Sequence, residues 1–201
     1  MQRIFKSISY IFHPVFIPLL GVLFYFSKTP RSIPKEIVWA KLISLSILTV
    51  VLPILLYFLL KNLGKADSIF LKTSKERILP LLLNCVIAYL IIRNILPATE
   101  YIELYGFFTG ILFSTLACLL LALLKFKASI HLMAMGGLFM FCLALSIHFS
   151  KNFNGTLAIL SIITGAVTTS RLLLNAHTYR ELTVGLFIGI IPQLVMVNYW
   201  L

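Results

Sequence analysis

Long apolar runs broken by short polar segments dominate this chain. A helix that crosses the hydrocarbon of a bilayer needs roughly 20 mostly apolar residues. The runs predict seven such helices, over residues 8–27, 37–60, 78–96, 103–124, 130–149, 154–170 and 181–201. Pro14 and Pro18 make the first the least regular, and Pro53 predicts a kink in the second. Pro80 suits the opening turn of the third, where its missing N–H has no intrahelical partner to lose. The expected architecture is all-α, a polytopic transmembrane bundle of six to seven spans. It forms a single membrane domain over residues 1–201, with no internal repeat.

Alternation of spans has a consequence for chemistry. The second, fourth and sixth polar connections must share one side of the membrane. They carry Lys72, Lys75 and Arg77, then Lys127, Ser129 and His131, then Arg171, His177 and Glu181. The other side offers Lys28, Arg31, Lys35, Glu100, Glu103 and Lys151. His148 follows His131 by 17 residues, about 25 Å at ~1.5 Å per residue, and belongs to that opposite surface.

Composition agrees with a membrane protein: of 201 residues, 60% are hydrophobic and 11% charged. The formal charge is +11, from 17 Lys and Arg against 6 Asp and Glu. Such a balance fits anionic headgroups and the positive-inside bias. The basic residues are scattered between spans, which argues against nucleic-acid binding. With Arg77, Lys127, Arg171 and Lys75 set aside as candidate phosphate ligands, the two sides carry similar charge, and the bias assigns no orientation. Cys85, Cys118 and Cys142 fall inside apolar runs without metal-ligand spacing and read as small core residues. The basic start with Arg3 and Lys6 is like a signal peptide, but His13-Pro14 interrupts the run and no small-residue cleavage site follows, which predicts a retained span.

After Glu103 the one acidic residue is Glu181. Magnesium and paired-metal hydrolysis need several carboxylate oxygens, and glycosidases need two carboxyls. The inventory of two histidines, one acid, guanidinium groups and a hydroxyl suits metal-free phosphoryl transfer with no cofactor. One imidazole would attack phosphorus, a second would protonate the leaving oxygen, and cations would neutralise the equatorial oxygens. Glu181 stands four residues after His177, on one helical face, and could orient it. A competing reading is a capping box from Thr178 to Glu181, which would only start the last helix. Arg171 could equally snorkel, and Ser129 could be an ordinary helix cap.

The segment Ser170-Arg171-Leu-Leu-Leu-Asn-Ala-His177-Thr-Tyr-Arg-Glu181 resembles the third signature of the type 2 phosphatidic acid phosphatase family, which also contains vanadium haloperoxidases. That signature reads Ser-Arg, five residues, His, three residues, Asp; here Glu181 replaces the Asp. Ala128-Ser129-Ile130-His131 resembles the second signature, Pro-Ser-Gly-His, with Ile130 where glycine would let backbone amides approach a phosphate. The first signature, Lys, six residues, Arg-Pro, is matched at Arg77, with Ile78 in place of the proline and Phe70 in place of the lysine. Lys72 and Lys75 are both candidate substitutes. The resemblance covers about residues 70–190. It implies that His177 is the nucleophile, Glu181 its partner and His131 the general acid. It also implies that Arg171, Ser129, Ser170 and Arg77 bind the substrate phosphate, with Lys127 as an added cation.

The expectation is therefore an integral membrane phosphatase, of the cell (inner) membrane, acting on a lipid phosphate or diphosphate through a phosphohistidine without metal. Its partners would be the substrate and membrane lipids. Phe126, Tyr179 and Phe70 stand near these junctions and could meet the lipid's interfacial region. The alternative is a non-catalytic binder or carrier of anionic lipid using the same basic cavity.

Overall fold

A computed structural model of the chain describes residues 2–64 and 73–201; Phe70 and Lys72 lie outside the described residues. Among the described residues eight helices follow one another: α1 (Gln2–Ile11), α2 (Ile17–Lys28), α3 (Lys35–Asn62), α4 (Ser74–Asn94), α5 (Ile102–Leu123), α6 (Ile130–His148), α7 (Asn154–Leu173) and α8 (Tyr179–Val197). The described residues contain no strand. Five helices, α3, α5, α6, α7 and α8, are long and apolar enough to cross a membrane, consistent with an integral membrane protein. Large apolar side chains such as Leu82, Val86, Ile159, Ile162 and Ile191 face outward, while Arg77, Glu103, Ser114 and Gln193 are buried. That inversion suits a lipid solvent, in which polar groups must find partners inside the protein.

The first predicted span is not continuous. Residues 12–16 break it into α1 and α2, because Pro14 lacks an N–H and keeps His13 out of the helical region. α1 is amphipathic and lies against the end of α7. In α3, residues Ile47–Val51 form a π-helical turn just before Pro53, an irregularity of the ladder at the place where the proline is expected to act. Pro80 lies inside α4 rather than in its opening turn. Thr73 and Glu76 form a capping box that starts the helix earlier, at Ser74, and this brings Arg77 into the first turn.

α5, α6 and α8 pack at the centre. The rings of Phe107 and Phe141 stack there with centroids 4.2 Å apart. α6 and α8 cross so closely that a Cβ added to Gly189 would collide with the Met133 carbonyl, and one added to Gly185 would lie 2.5 Å from the Ser129 carbonyl oxygen. At the far end, Glu103 is fully buried and accepts hydrogen bonds from Arg31 at 2.7 Å, His148 at 3.2 Å and the Tyr25 hydroxyl at 3.3 Å. His148 thus sits on the surface opposite His131, as span counting expects.

Gly189→Ala should destabilise the bundle by about 1–3 kcal/mol, since the obstructing group is backbone and cannot rotate away. Thermal unfolding in detergent measures this. Gly155→Ala is the control, because nothing lies within 4 Å of a Cβ there, and it should lose no stability.

Candidate functional site

Two chain reversals and the start of α4 meet at one end of the bundle. α5 closes with Lys125 in the left-handed region, φ 64°, and the Phe126 amide donates to the Leu121 carbonyl at 2.8 Å. α7 closes the same way at Asn175, φ 50°, with the Ala176 amide donating to the Arg171 carbonyl at 3.0 Å. Both turns send the chain straight back into the next helix. Ser129 therefore stands at the head of α6, and His177 just before α8.

Arg77 links these segments. Its guanidinium donates to the Ala128 carbonyl at 2.6 Å and to Nε2 of His177 at 3.4 Å. Both residues are nearly fully buried, Arg77 at 3% and His177 at 7% exposure. On the other side of the ring, Nδ1 of His177 lies 3.0 Å from Oε2 of Glu181. The partners fix the tautomer. A carboxylate only accepts and a guanidinium only donates, so Nδ1 carries the proton and Nε2 presents its lone pair.

Glu181 holds three groups at once. Its Oε2 also accepts from the Thr178 amide at 2.9 Å, the second half of a capping box. Its backbone carbonyl accepts from the Ser129 amide at 3.0 Å. The cap and the imidazole contact, which compete when read from spacing, share one oxygen with two acceptor directions. Burial first, and then the charges of Arg77, Arg171 and Lys127, push His177 down to about 3. A hydrogen bond with the Lys127 backbone opposes that shift, but burial and three cations prevail, and the imidazole is neutral. Lys127 is itself half-buried, and desolvation holds its ammonium below the usual range.

His131 lies on the first turn of α6, with Nε2 3.2 Å from the Ser9 carbonyl. A carbonyl only accepts, so this nitrogen carries the proton. Ser9 belongs to α1 and is fully buried. The Ser170 hydroxyl donates to the Phe5 carbonyl at 2.6 Å, and Ser9 Oγ lies 2.8 Å from Ser170 Oγ and 3.5 Å from the Arg171 guanidinium. Ser170 thus fastens α1 over the site. Ser129 caps α6, its hydroxyl accepting from the Leu132 amide at 3.4 Å. Of the residues expected to carry chemistry, Arg77, His131, Arg171 and His177 line one cavity of about 540 Å³; Ser129, Ser170, Lys127 and Glu181 do not line it.

No family model matches this chain, and no curated protein or solved structure does either. The functional reading is thus carried by the residues and their geometry.

Two residues that the sequence reading did not single out join the site. His13 lines the same cavity and meets His131 edge-on, with ring centroids 5.5 Å apart. Its Nδ1 accepts from the Val15 amide at 3.4 Å. Ser9 supplies the carbonyl that holds His131. The available signal was the pairing of Ser9 with His13 four residues on, next to Pro14, on an otherwise amphipathic segment. The cavity runs from this cationic mouth between α2, α3, α4, α5 and α6, and its deeper wall is apolar, with Leu56, Ile87, Ile91, Phe107 and Phe108. Among the described residues no group of three His, Cys, Asp or Glu side chains could hold a metal ion.

The site makes stability depend on pH. The folded protein keeps His177 neutral down to about 3, whereas the unfolded chain binds a proton below the ordinary value of 6.5. Its contribution is therefore complete above pH 6.5 and declines as the pH falls toward 3. Thermal unfolding across this range should show stability dropping with acid, and His177→Gln should flatten the slope. A slope identical in both proteins would contradict a neutral His177.

Proposed function

We propose that the chain is an integral membrane lipid-phosphate phosphatase that acts without metal through a phosphohistidine on His177. The observation that carries the reading is the orientation of His177. Its Nε2 lone pair lies at a mouth lined by Arg77 and Arg171, at the head of an apolar cavity. The local charge favours an anion: Arg77, Lys127 and Arg171 act on the site, against the single carboxylate of Glu181. The cavity volume falls within the roughly 300–1,000 Å³ typical of ligand pockets.

In the first step Nε2 attacks phosphorus and the bond to the lipid oxygen breaks. Arg77 and Arg171 stabilise the charge on the phosphoryl oxygens. The leaving oxygen takes the proton held on Nε2 of His131, which exchanges its hydrogen bond to Ser9 for one to substrate. As His177 becomes positively charged, the Glu181 carboxylate on Nδ1 stabilises it. Water then attacks phosphorus, His131 recovers a proton from it, and the P–N bond breaks to release phosphate and restore His177.

Six spans follow if α4, with 21 residues, crosses as well. α2, with 12 residues, covers about 18 Å at ~1.5 Å per residue and enters only part of the bilayer, with α1 lying at the site end.

A second reading, a non-catalytic binder of anionic lipid, is favoured by one observation. The Ser129 amide donates to Glu181 and the Ser170 hydroxyl to Phe5, so two expected phosphate donors are engaged internally. Phosphate release from lipid phosphates by detergent-purified protein, with chelator present, separates the two. His177→Ala should lower release by about a thousandfold or more, and His131→Ala by roughly a hundredfold. Chelator should leave it unchanged. Binding without release in the unaltered protein would establish the second reading.

A further inference from the structure

Three of the chain's four histidines line the cavity, His13, His131 and His177, and the proposed reaction uses two of them. His13 stands in the break between α1 and α2. Its amide donates to the Tyr10 carbonyl at 3.3 Å, and its carbonyl accepts from the Phe16 amide at 3.0 Å, so the break follows a defined path. The residues four before and four after it fasten that path to α6. The Ser9 carbonyl accepts from Nε2 of His131, and buried Ile17 packs in one cluster with Met135 and Leu138. Ser9, His13 and Ile17 thus follow the opening turns of α6, which is why His13 meets His131 edge-on.

The two nitrogens of His13 have distinct roles. Nδ1 accepts from the Val15 amide at 3.4 Å, so in the neutral ring the proton lies on Nε2. Burial first, and then the charge of Arg171, push His13 down to about 4, and the ring is neutral at physiological pH. Among the described residues Nε2–H of His13 donates to no protein group, whereas Nε2–H of His131 is engaged by Ser9. The charges also place the ring within the mouth. His177 feels Arg77, Arg171 and Lys127, but Arg171 is the cation that acts on His13. His13 therefore lies on the His131 side of the site, away from the nucleophile. An apolar residue would fill the same space without carrying a polar N–H into the cavity wall.

We propose that His13 is a third imidazole of the reaction, donating a hydrogen bond from Nε2 to the leaving oxygen while His131 protonates that oxygen. The proposal rests on the phosphohistidine reading above and adds a residue from outside the three signature segments. An oxygen that parts from phosphorus gains negative charge and a free lone pair, and can accept from two donors at once. A donor already held at the cavity wall needs no reorganisation, and its bond strengthens as the charge develops. His13 keeps its proton throughout. The bond from phosphorus to the leaving oxygen breaks as the bond to Nε2 of His177 forms, and the leaving oxygen takes its proton from His131.

The test uses the full chain in detergent with chelator and reads kcat/KM for phosphate release, which covers the steps through departure of the leaving oxygen. The substrates are a long-chain alkyl phosphate and a nitrophenyl phosphate bearing the same chain, whose phenolate leaves without help. A glutamine amide reaches about where Nε2–H of His13 stands, and an asparagine amide only as far as Nδ1. His13→Asn should lower kcat/KM on the alkyl phosphate by about a hundredfold. On the aryl phosphate it should lower it by no more than about threefold, which also shows that the variant is folded. His13→Gln should recover alkyl turnover to within about fivefold of the unaltered protein, the scale of one net hydrogen bond. Equal losses on the two substrates, or equal behaviour of the asparagine and glutamine variants, overturn the role of His13 and leave the phosphatase reading standing. No release from the alkyl phosphate by the unaltered protein overturns the phosphatase reading and this role with it.

Discussion

The geometry of the site depends on Glu181. One carboxylate oxygen starts α8 by accepting the Thr178 amide and fixes the tautomer of His177, while the backbone carbonyl of the same residue receives the Ser129 amide. Helix start, imidazole and the head of α6 are thus tied to a single residue. The arrangement requires α6 and α8 to touch backbone to backbone, and the absence of side chains at Gly185 and Gly189 permits it. A longer helix crossing would separate the Glu181 carbonyl from Ser129 and, with it, His177 from Arg77. The precision of the polar site is set by close apolar packing one and two turns below it.

Much of this arrangement can be read from the chain, because lengths of apolar sequence fix how often it reverses direction. Alternation alone brings the second, fourth and sixth connections to one face, and the hydrogen bonds from Arg77 to Ala128 and His177 join those three connections. The role of α1 could not be read in the same way. Ser9 and Ser170 are 161 residues apart and meet through side chains whose local surroundings carry no trace of each other. His13-Pro14 signals a break, but a break does not say where the preceding helix will lie. Pro80 misled because its preference for a first turn is weaker than the reciprocal hydrogen bonds of Thr73 and Glu76, which start α4 at Ser74, four residues before the expected position 78.

Electrostatics ties the imidazole to the anion. Arg77, Arg171 and Lys127 surround a site whose one carboxylate is already occupied by two donors, so the positive field there is not cancelled locally. That field, with burial, keeps His177 unprotonated and preserves the lone pair on Nε2; protonation would add a further positive charge and destroy the contact with Arg77. On the proposed reading, the same field would draw a phosphate into the mouth. A bound dianion would neutralise the cations and lower the penalty on positive charge at His177, which is the change the proposed attack of Nε2 on phosphorus requires. Glu181, on the opposite ring nitrogen, would gain strength as a partner in that step, because its hydrogen bond from Nδ1 would then be donated by a charged ring. A neutral imidazole among cations is therefore poised for attack on an anionic centre, where an imidazolium would be inert.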